Sequence, residues 1–188
     1  KLAKALGHHR TALYPSLVQV KTDPTYPRSL KGVKTDARLR LCRGKTVLAE
    51  NEGEILFTEY GVSGPAVFEI SRQAAIGGEG LTLHLDLWAE KSHEEICSHL
   101  ARRCRSKAGC AGSEQTAGCI FVGVLHSRLG QVVAKAAGLS PAVPLGSLQA
   151  ADLDALAAQC KDFPLPVTGT CGFDQAQVTA GGLDTAEF

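Results

Sequence analysis

The residues best placed to bind a ligand lie in one segment of the chain, residues 53–65, where a strand runs through a turn into a helix. Tyr60 and Ser63 supply hydroxyl groups there, and Gly61 and Gly64 lie in the turn. A glycine-flanked helix N-terminus presents free N–H groups and a partial positive charge, which can hold an anion or the polar edge of a ligand. A plain capped helix start, with Ser63 as the N-cap and a proline in the first turn, explains the same residues without a ligand.

Other reactive side chains form no recognisable catalytic group. No Gly-x-Ser-x-Gly motif is present, and nothing near Ser63 supplies a base, so a serine nucleophile is not expected. His84 has no visible partner with which to act as a base. His93 and Cys97 are one helical turn apart and could share a metal, but no second ligand pair is evident and structural zinc needs four ligands. We therefore predict no metal site and assign no catalytic residue.

Four segments of the chain resemble, in the same order, the signature of one protein family. The first joins Ala5–His8 to Leu13–Val18, and the second is Leu30–Val33. The third and longest is Gly53–Ser71, and the last is Ala176–Gly182. These segments are similar to a family of FAD-dependent oxidoreductases, often described only as NAD(P)/FAD-dependent flavoproteins, which includes enzymes of the aminoacetone oxidase and bile-acid dehydro-reductase type.

The resemblance implies an α+β domain inserted within a larger flavoprotein. Its expected architecture is a small antiparallel β-barrel subdomain with an inserted α-helical bundle subdomain, as a fragment lacking the Rossmann-type FAD domain. The chain carries no G-x-G-x-x-G turn between a strand and a helix, so it is not expected to hold FAD tightly by itself. Residues 1–6 would leave the FAD domain and residues 178–188 would re-enter it. A start at Lys1 and the absence of methionine suit such a fragment.

The resemblance also implies a role for the inserted domain. FAD in the full-length parent would carry the redox chemistry, with NAD(P)H as a candidate reductant, and the insert would form a lid or wall of the substrate pocket. The residues expected to face substrate or flavin are Tyr60, Gly61, Ser63, Gly64, Pro15, Ser16, Gly181 and Gly182. Many family members have histidine at the position of Glu59, so no catalytic role is assigned to Glu59.

Composition limits the function classes. The 188 residues carry 20 basic and 19 acidic side chains, and only 5% are aromatic, which argues against a nucleic-acid-binding surface. No apolar run is long enough to cross a membrane. Seven cysteines without a C-x-x-C pair indicate reduced thiols in a cytoplasmic protein.

The expected partners follow from the resemblance. They are the FAD-binding domain of the same polypeptide and a small-molecule substrate, with no nucleic acid and no membrane. Two alternatives to the oxidoreductase domain stay open at this point. One is a ligand- or nucleic-acid-binding module, and the other is an insert that forms a homodimer and has no catalytic role.

The first half of the sequence predicts strands joined by tight turns. Alternating apolar residues indicate strands over 36–43, 46–49, 54–58 and 81–87, with turns at 43–45 and 51–53. A helix is predicted from Pro65 to Ala75. Short alternating strands with one helix suggest a small barrel.

The second half predicts helices. A capping box at Ser92–Glu95 begins a helix that runs to about Lys107, followed by a loop from Cys110 to Thr116. Two further helices are predicted over Cys119–Ala137, in one or two pieces around Gly130, and over Asp152–Lys161. The segment Phe163–Thr170 is predicted to be a strand or an extended segment, and Pro164 and Pro166 suit an edge position. The resulting units are a barrel with one helix (1–88), a helical subdomain (89–161) and a return segment (162–188).

Overall fold

Eight strands and five α-helices are present in the computed structural model, which describes residues 2–105 and 115–187. The strands are β1 (Tyr14–Ser16), β2 (Val20–Thr22), β3 (Lys34–Arg43), β4 (Thr46–Thr58), β5 (Gly61–Ser63), β6 (Leu81–Asp86), β7 (Phe163–Thr170) and β8 (Val178–Ala180). The α-helices are α1 (Leu2–Ala5), α2 (Pro65–Gly77), α3 (His93–Arg105), α4 (Ser127–Ala136) and α5 (Ala150–Lys161). Short 3₁₀ helices cover Pro27–Leu30, Ala117–Cys119, Leu145–Ser147, Phe173–Gln175 and Thr185–Glu187.

Six antiparallel strands close into a barrel in the order β2-β5-β4-β3-β6-β7. The period-2 alternation predicted from the sequence places Leu39 and Leu41 of β3, Leu83 and Leu85 of β6 and Phe57 of β4 inside, all fully buried. Closure leaves no exposed sheet edge around most of the barrel, which protects these short strands from pairing with other chains. The predicted α+β class with an antiparallel barrel is confirmed.

The predicted turn at residues 51–53 is wrong, because β4 continues through it as one strand of 13 residues. The backbone of β3 pairs along this whole stretch, with Arg38 opposite Glu52 and Ala37 opposite Gly53. Arg38 Nε also donates to Glu52 Oε2 at 2.9 Å. A full ladder with a neighbouring strand outweighs the local preference of Asn and Gly for a turn.

The start of α2 also differs from the prediction, since its N-cap is Gly64 rather than Ser63. The Gly64 carbonyl accepts hydrogen bonds from the N–H groups of Val67 and Phe68 at 3.1 and 3.0 Å. A serine could not take the place of Gly64, because its φ is 108° and a Cβ there would lie 2.8 Å from the Glu54 carbonyl oxygen. The helix packs its buried face on β4 and on β1.

The helices that follow Trp88 pack on one another and on the barrel. The capping box at the start of α3 is confirmed, because the Ser92 N–H donates to the Glu95 carboxylate and the Glu95 N–H donates to Ser92 Oγ. The buried residues of α3, α4 and α5 join the barrel interior in one apolar cluster. The predicted end of α3 at Lys107 and most of the loop predicted over 110–116 lie outside the described residues.

The helix predicted over residues 119–137 is shorter, because α4 begins only at Ser127. His126 is the N-cap of this helix, because its ring accepts a hydrogen bond from the Arg128 N–H. Gly130 does not interrupt α4; a Cβ at Gly130 would lie 3.3 Å from Phe121 Cβ, so glycine lets the preceding turn pack closely against the helix.

The prolines of β7 lie beyond the last ladder pair with β2, although the Asp23 N–H still donates to the Pro166 carbonyl at 2.8 Å. Pro164 and Pro166 pair with His84 and Thr82 of β6, whereas β2 pairs with β7 only from Val167 onward. The strand therefore belongs to a closed barrel, yet its prolines occupy a locally edge-like part of it, where a missing N–H is tolerated.

The two ends of the described chain lie side by side. Strand β1 pairs antiparallel with β8 in a two-stranded ribbon, and Arg10 forms an isolated bridge with Leu183. Glu187 accepts a hydrogen bond from the His9 N–H at 3.0 Å. The predicted unit boundaries at residues 88 and 161 stay a prediction. None of the described helices combines the length and the apolar character needed to cross a membrane.

Candidate functional site

The β4–β5 hairpin places Tyr60 in the wall of a surface cleft of about 620 Å³. Lys21 and Thr22 from β2, Arg28 from the first 3₁₀ helix and Glu59 line the same cleft. The backbone of Tyr60 is held in place because its carbonyl accepts a hydrogen bond from the Thr22 N–H at 3.0 Å. The cleft thus combines two cationic side chains and one carboxylate with hydroxyl groups.

The Tyr60 hydroxyl stays protonated at neutral pH. Burial raises the pKa of Tyr60, and the neighbouring Cys171 thiol raises it further. A neutral phenol can donate a hydrogen bond to a carbonyl or anionic oxygen of a ligand. Beside it, Glu59 accepts a hydrogen bond from Lys31 Nζ at 2.8 Å, and this contact lowers the pKa of Glu59. Glu59 is therefore an ionised, paired carboxylate and does not supply a proton near neutral pH.

Gly61 and Gly64 serve close packing of the barrel wall. A Cβ on Gly61, whose φ is 154°, would lie 2.2 Å from the Val20 carbonyl oxygen. At Gly64 the backbone of β4 takes up the equivalent space. Ser63 is only 8% exposed and pairs with Leu56 in the wall. Among the four predicted site residues of this segment, Tyr60 lines the cleft, whereas Gly61, Ser63 and Gly64 do not.

The remaining predicted site residues meet in the ribbon. Pro15 and Ser16 of β1 pair with Thr179 and Val178 of β8. Gly181 directly follows β8, and a Cβ on it would lie 2.1 Å from the Ala12 carbonyl oxygen. The ribbon thus brings Pro15 and Ser16 into the same structural unit as Gly181, although these residues are far apart in sequence.

At the adjoining turn, the Gly182 carbonyl accepts a hydrogen bond from the Thr11 N–H at 2.9 Å. The Gly182 N–H donates to Thr11 Oγ1 at 3.0 Å. Nothing lies within 4 Å of the position that a Cβ on Gly182 would take, so this backbone is accessible from that side.

Cys171, the residue after β7, neighbours Tyr60, and no sequence pattern indicates this contact. Its N–H donates to the Gln19 carbonyl at 3.1 Å, while its thiol neighbours the Tyr60 hydroxyl. Next to it, the Gln177 N–H donates to the Leu17 carbonyl at 3.2 Å. Tyr60 and the ribbon therefore lie on the same side of the barrel. No local motif marks Cys171, because its position depends on strand closure.

Leu17 is the only non-glycine among the described residues with a positive φ, at 52°. This left-handed conformation is uncommon for a branched side chain and is kept only where the surrounding structure demands it. Leu17 connects β1 of the ribbon to β2 of the barrel, so the strain lies at the junction of the two predicted site regions. A positive φ at leucine cannot be read from a sequence.

The terminal segments carry most of the exposed apolar side chains. Nine large apolar side chains are strongly exposed among the described residues, and six of them lie in residues 2–13 and 173–183. Those six are Leu2, Leu6, Leu13, Phe173, Val178 and Leu183. Single exposed apolar residues are common on protein surfaces, but their concentration in two adjacent segments is typical of a covered surface.

Residues 14–178 match the family model described as the HI0933-like protein barrel and H2TH domain. The chain belongs to this HI0933-like family. The chain is also 32% identical, over 193 residues, to the 3-dehydro-bile acid delta(4,6)-reductase of Clostridium scindens. That similarity covers 99% of the chain but 45% of the relative, so the chain spans a little under half the length of this curated protein. The family resemblance predicted from the sequence is confirmed.

The HI0933-like match begins with the first residue of β1 and ends with the first residue of β8. It includes the whole barrel, whose presence agrees with the family description. Pro15, Ser16 and the Tyr60 region lie within the match, whereas Gly181 and Gly182 lie just beyond it.

Proposed function

We propose that this chain is the substrate-side domain of a flavin-dependent oxidoreductase. In this proposal the rest of the same polypeptide binds FAD, and the HI0933-like domain forms a wall or lid of the substrate pocket. Membership of the family and the similarity to a bile-acid reductase support it. FAD would supply the electron transfer, while the domain would bind substrate, orient it and exclude water.

The proposal depends above all on the paired terminal segments. Two adjacent segments at one side of a domain are a suitable connection to the rest of a longer chain. They also carry six exposed large apolar side chains, and such a surface is normally covered by a partner. We propose that the FAD-binding part of the polypeptide covers it, which would bring the Tyr60 cleft close to the flavin.

FAD is assigned to the rest of the protein because the glycines of this chain's strand-to-helix turn pack against neighbouring backbone. That turn, which precedes α2, is the nearest equivalent of a pyrophosphate site. The space beside Gly61 is filled by the backbone of β2, and the space beside Gly64 by the backbone of β4. A dinucleotide turn instead uses its glycines to let the pyrophosphate approach the backbone.

The role proposed for Tyr60 is to position the substrate. Its neutral hydroxyl can donate a hydrogen bond at the mouth of the cleft, and its backbone is fixed by Thr22. Cys171, which directly follows β7, neighbours this hydroxyl.

The proposal includes a cytoplasmic location and NAD(P)H as the source of electrons. The cysteines within the described residues are all free thiols, which suits a reducing compartment. The reductant is inferred from the family resemblance alone.

The experiment that tests the proposal compares the full-length protein with the 188-residue chain. Each is purified, its visible spectrum is recorded, and it is then titrated with FAD. A flavin absorption band in the full-length protein and none in the chain would support the proposal. Absence of flavin from both proteins after titration would overturn it, and tight flavin binding by the chain alone would overturn the assignment of FAD to the rest of the polypeptide.

A further inference from the structure

Three side chains of metal-binding type meet between α3 and α5, on the helical side of the molecule. His93 and Cys97 lie one turn apart on α3, and Asp154 lies on α5. One ligand atom from each of the three lies within 4.8 Å of the others. His93 Nε2 is 2.7 Å from Asp154 Oδ1, although the two residues are 61 positions apart. Helix packing thus supplies a third ligand that no local spacing shows.

The donor atoms lie near the separations of a tetrahedral metal site, with small side-chain shifts still needed. Zinc is bound at about 2.0–2.2 Å by nitrogen and oxygen and at about 2.3 Å by sulfur, so donor atoms in a zinc site lie roughly 3.3–3.6 Å apart. His93 Nε2 and Asp154 Oδ1 are now closer than that, at 2.7 Å, because they form a hydrogen bond. A displacement of either side chain by less than about 1 Å would bring this pair of donor atoms to the tetrahedral separation.

Both helix starts that carry the ligands are held in place. The capping box of Ser92 and Glu95 orders the first turn of α3 next to His93. In the same way, the Gln149 N–H donates to Asp152 Oδ2 at 2.8 Å at the start of α5. Helices α3 and α5 contact each other, and their buried residues belong to one apolar cluster. Ligands on such rigid elements need little reorganisation to bind a metal.

The ligand set selects the kind of metal. One thiol, one imidazole and one carboxylate form a mixed set that suits zinc, whereas magnesium and calcium prefer oxygen ligands alone. Cys97 is half-buried, and His93 is about one-third exposed at 35%. An ion could therefore reach the cluster from solvent, and a water could complete its coordination.

We propose that His93, Cys97 and Asp154 bind Zn²⁺ with a water as the fourth ligand and thereby join α3 to α5. No metal site is predicted from the sequence because only the pair on α3 is local in the chain. A competing explanation is a surface ion pair between His93 and Asp154, with Cys97 acting as a packing residue. Such exposed pairs are common without a metal.

The test is a zinc titration of the full-length protein, kept reduced and first stripped of metal with a chelator. Zinc binding is measured in competition with a chromophoric chelator, and Co²⁺ is used in parallel as a spectroscopic probe. We expect a zinc equivalent that is lost in each of three variants, His93→Ala, Cys97→Ser and Asp154→Asn. In each variant the zinc affinity of this site should fall by more than the roughly 10- to 100-fold that loss of an outer-shell partner causes.

The Co²⁺ complex should show a thiolate-to-cobalt charge-transfer band, which Cys97→Ser removes. Cys104→Ser is the matched control, because Cys104 is also half-buried on α3 but lies outside the cluster. The control should keep the band and the zinc equivalent. The proposal is overturned if the wild-type protein and the Cys97→Ser variant bind the same number of zinc ions with the same affinity, or if the band survives in Cys97→Ser. Circular dichroism of each variant shows whether its helices are retained, and the near-isosteric Asp154→Asn keeps the test valid if His93→Ala unfolds.

Discussion

Lys161 Nζ donates to Asp86 Oδ2 at 2.5 Å and joins the end of α5 to the end of β6. The same ammonium group donates to the Lys91 carbonyl at 2.8 Å. The pair is largely shielded from solvent, with side-chain exposures of 24% and 12%. It is therefore the most buried of the ion pairs found among the described residues, and it connects the helices to the barrel.

We predict that Lys161→Met destabilises the domain by about 1–3 kcal/mol, because it leaves the Asp86 carboxylate without its cationic partner in a poorly hydrated site. The matched control is Lys91→Met, which removes an exposed pair with Glu95 and should cost no more than about 0.5 kcal/mol. Urea unfolding followed by circular dichroism measures both. Equal effects of the two substitutions would contradict the importance given to the Lys161–Asp86 pair.

The substitution Tyr60→Phe tests the proposed substrate-side role. It removes the hydroxyl group but keeps the ring, so in the full-length protein we expect KM for substrate to rise several-fold or the flavin spectrum to shift, with little change in stability. A lost hydrogen bond to a neutral ligand group corresponds to about 0.5–1.5 kcal/mol.

The control for Tyr60→Phe is Tyr26→Phe. The ring of Tyr26 packs on Phe163, with ring centroids 5.4 Å apart, and it does not line the cleft. The control should leave KM and the spectrum unchanged. If Tyr60→Phe behaves like this control in both measurements, Tyr60 does not contact substrate or flavin.

Gly61→Ala is predicted to destabilise the barrel by about 2–4 kcal/mol, since it combines an unfavourable φ with a direct overlap with the Val20 carbonyl. Gly146→Ala is the matched control. Its Cβ would meet nothing within 4 Å, so a change of no more than about 0.5 kcal/mol is expected. Thermal unfolding of the two variants provides the comparison, and a Gly61→Ala protein as stable as wild type would show that β5 can move away from β2.

The capping box of α3 predicts a dependence on pH. The hydrogen bond from the Ser92 backbone, followed by the contact with Lys91, lowers the pKa of Glu95 from its ordinary value of 4.5. Because the folded-state pKa lies below the unfolded value, the stabilisation is complete above about pH 4.5 and is lost as the pH falls through the folded-state pKa.

Glu95→Gln should weaken this dependence, since glutamine keeps the geometry of a capping box but does not titrate. Glu90→Gln removes a charge from the same region without touching the cap and should leave the dependence as in the wild type. Acid titration of helix content by circular dichroism distinguishes the two variants. Identical acid transitions in wild type and Glu95→Gln would be the contrary result.

Signals that depend on near neighbours in the chain were predictable. The capping box at Ser92 needs only four consecutive residues, and the inward leucines of β6 need only alternation along one strand. The family was also predictable, because its signature segments are local motifs. These features determined the α+β class, the barrel and the approximate positions of the helices.

Tertiary structure decided what depends on distant segments. The ladder with β3 keeps β4 continuous through residues that locally favour a turn. Ser63 pairs with Leu56 of β4 as the last residue of β5, and Gly64 is the N-cap of α2. Strand closure places Cys171 beside Tyr60, and helix packing places Asp154 beside His93. Each of these contacts joins residues from separate elements, so it stabilises the protein only once the barrel has closed and the helices have packed. Short-range sequence patterns therefore do not predict it.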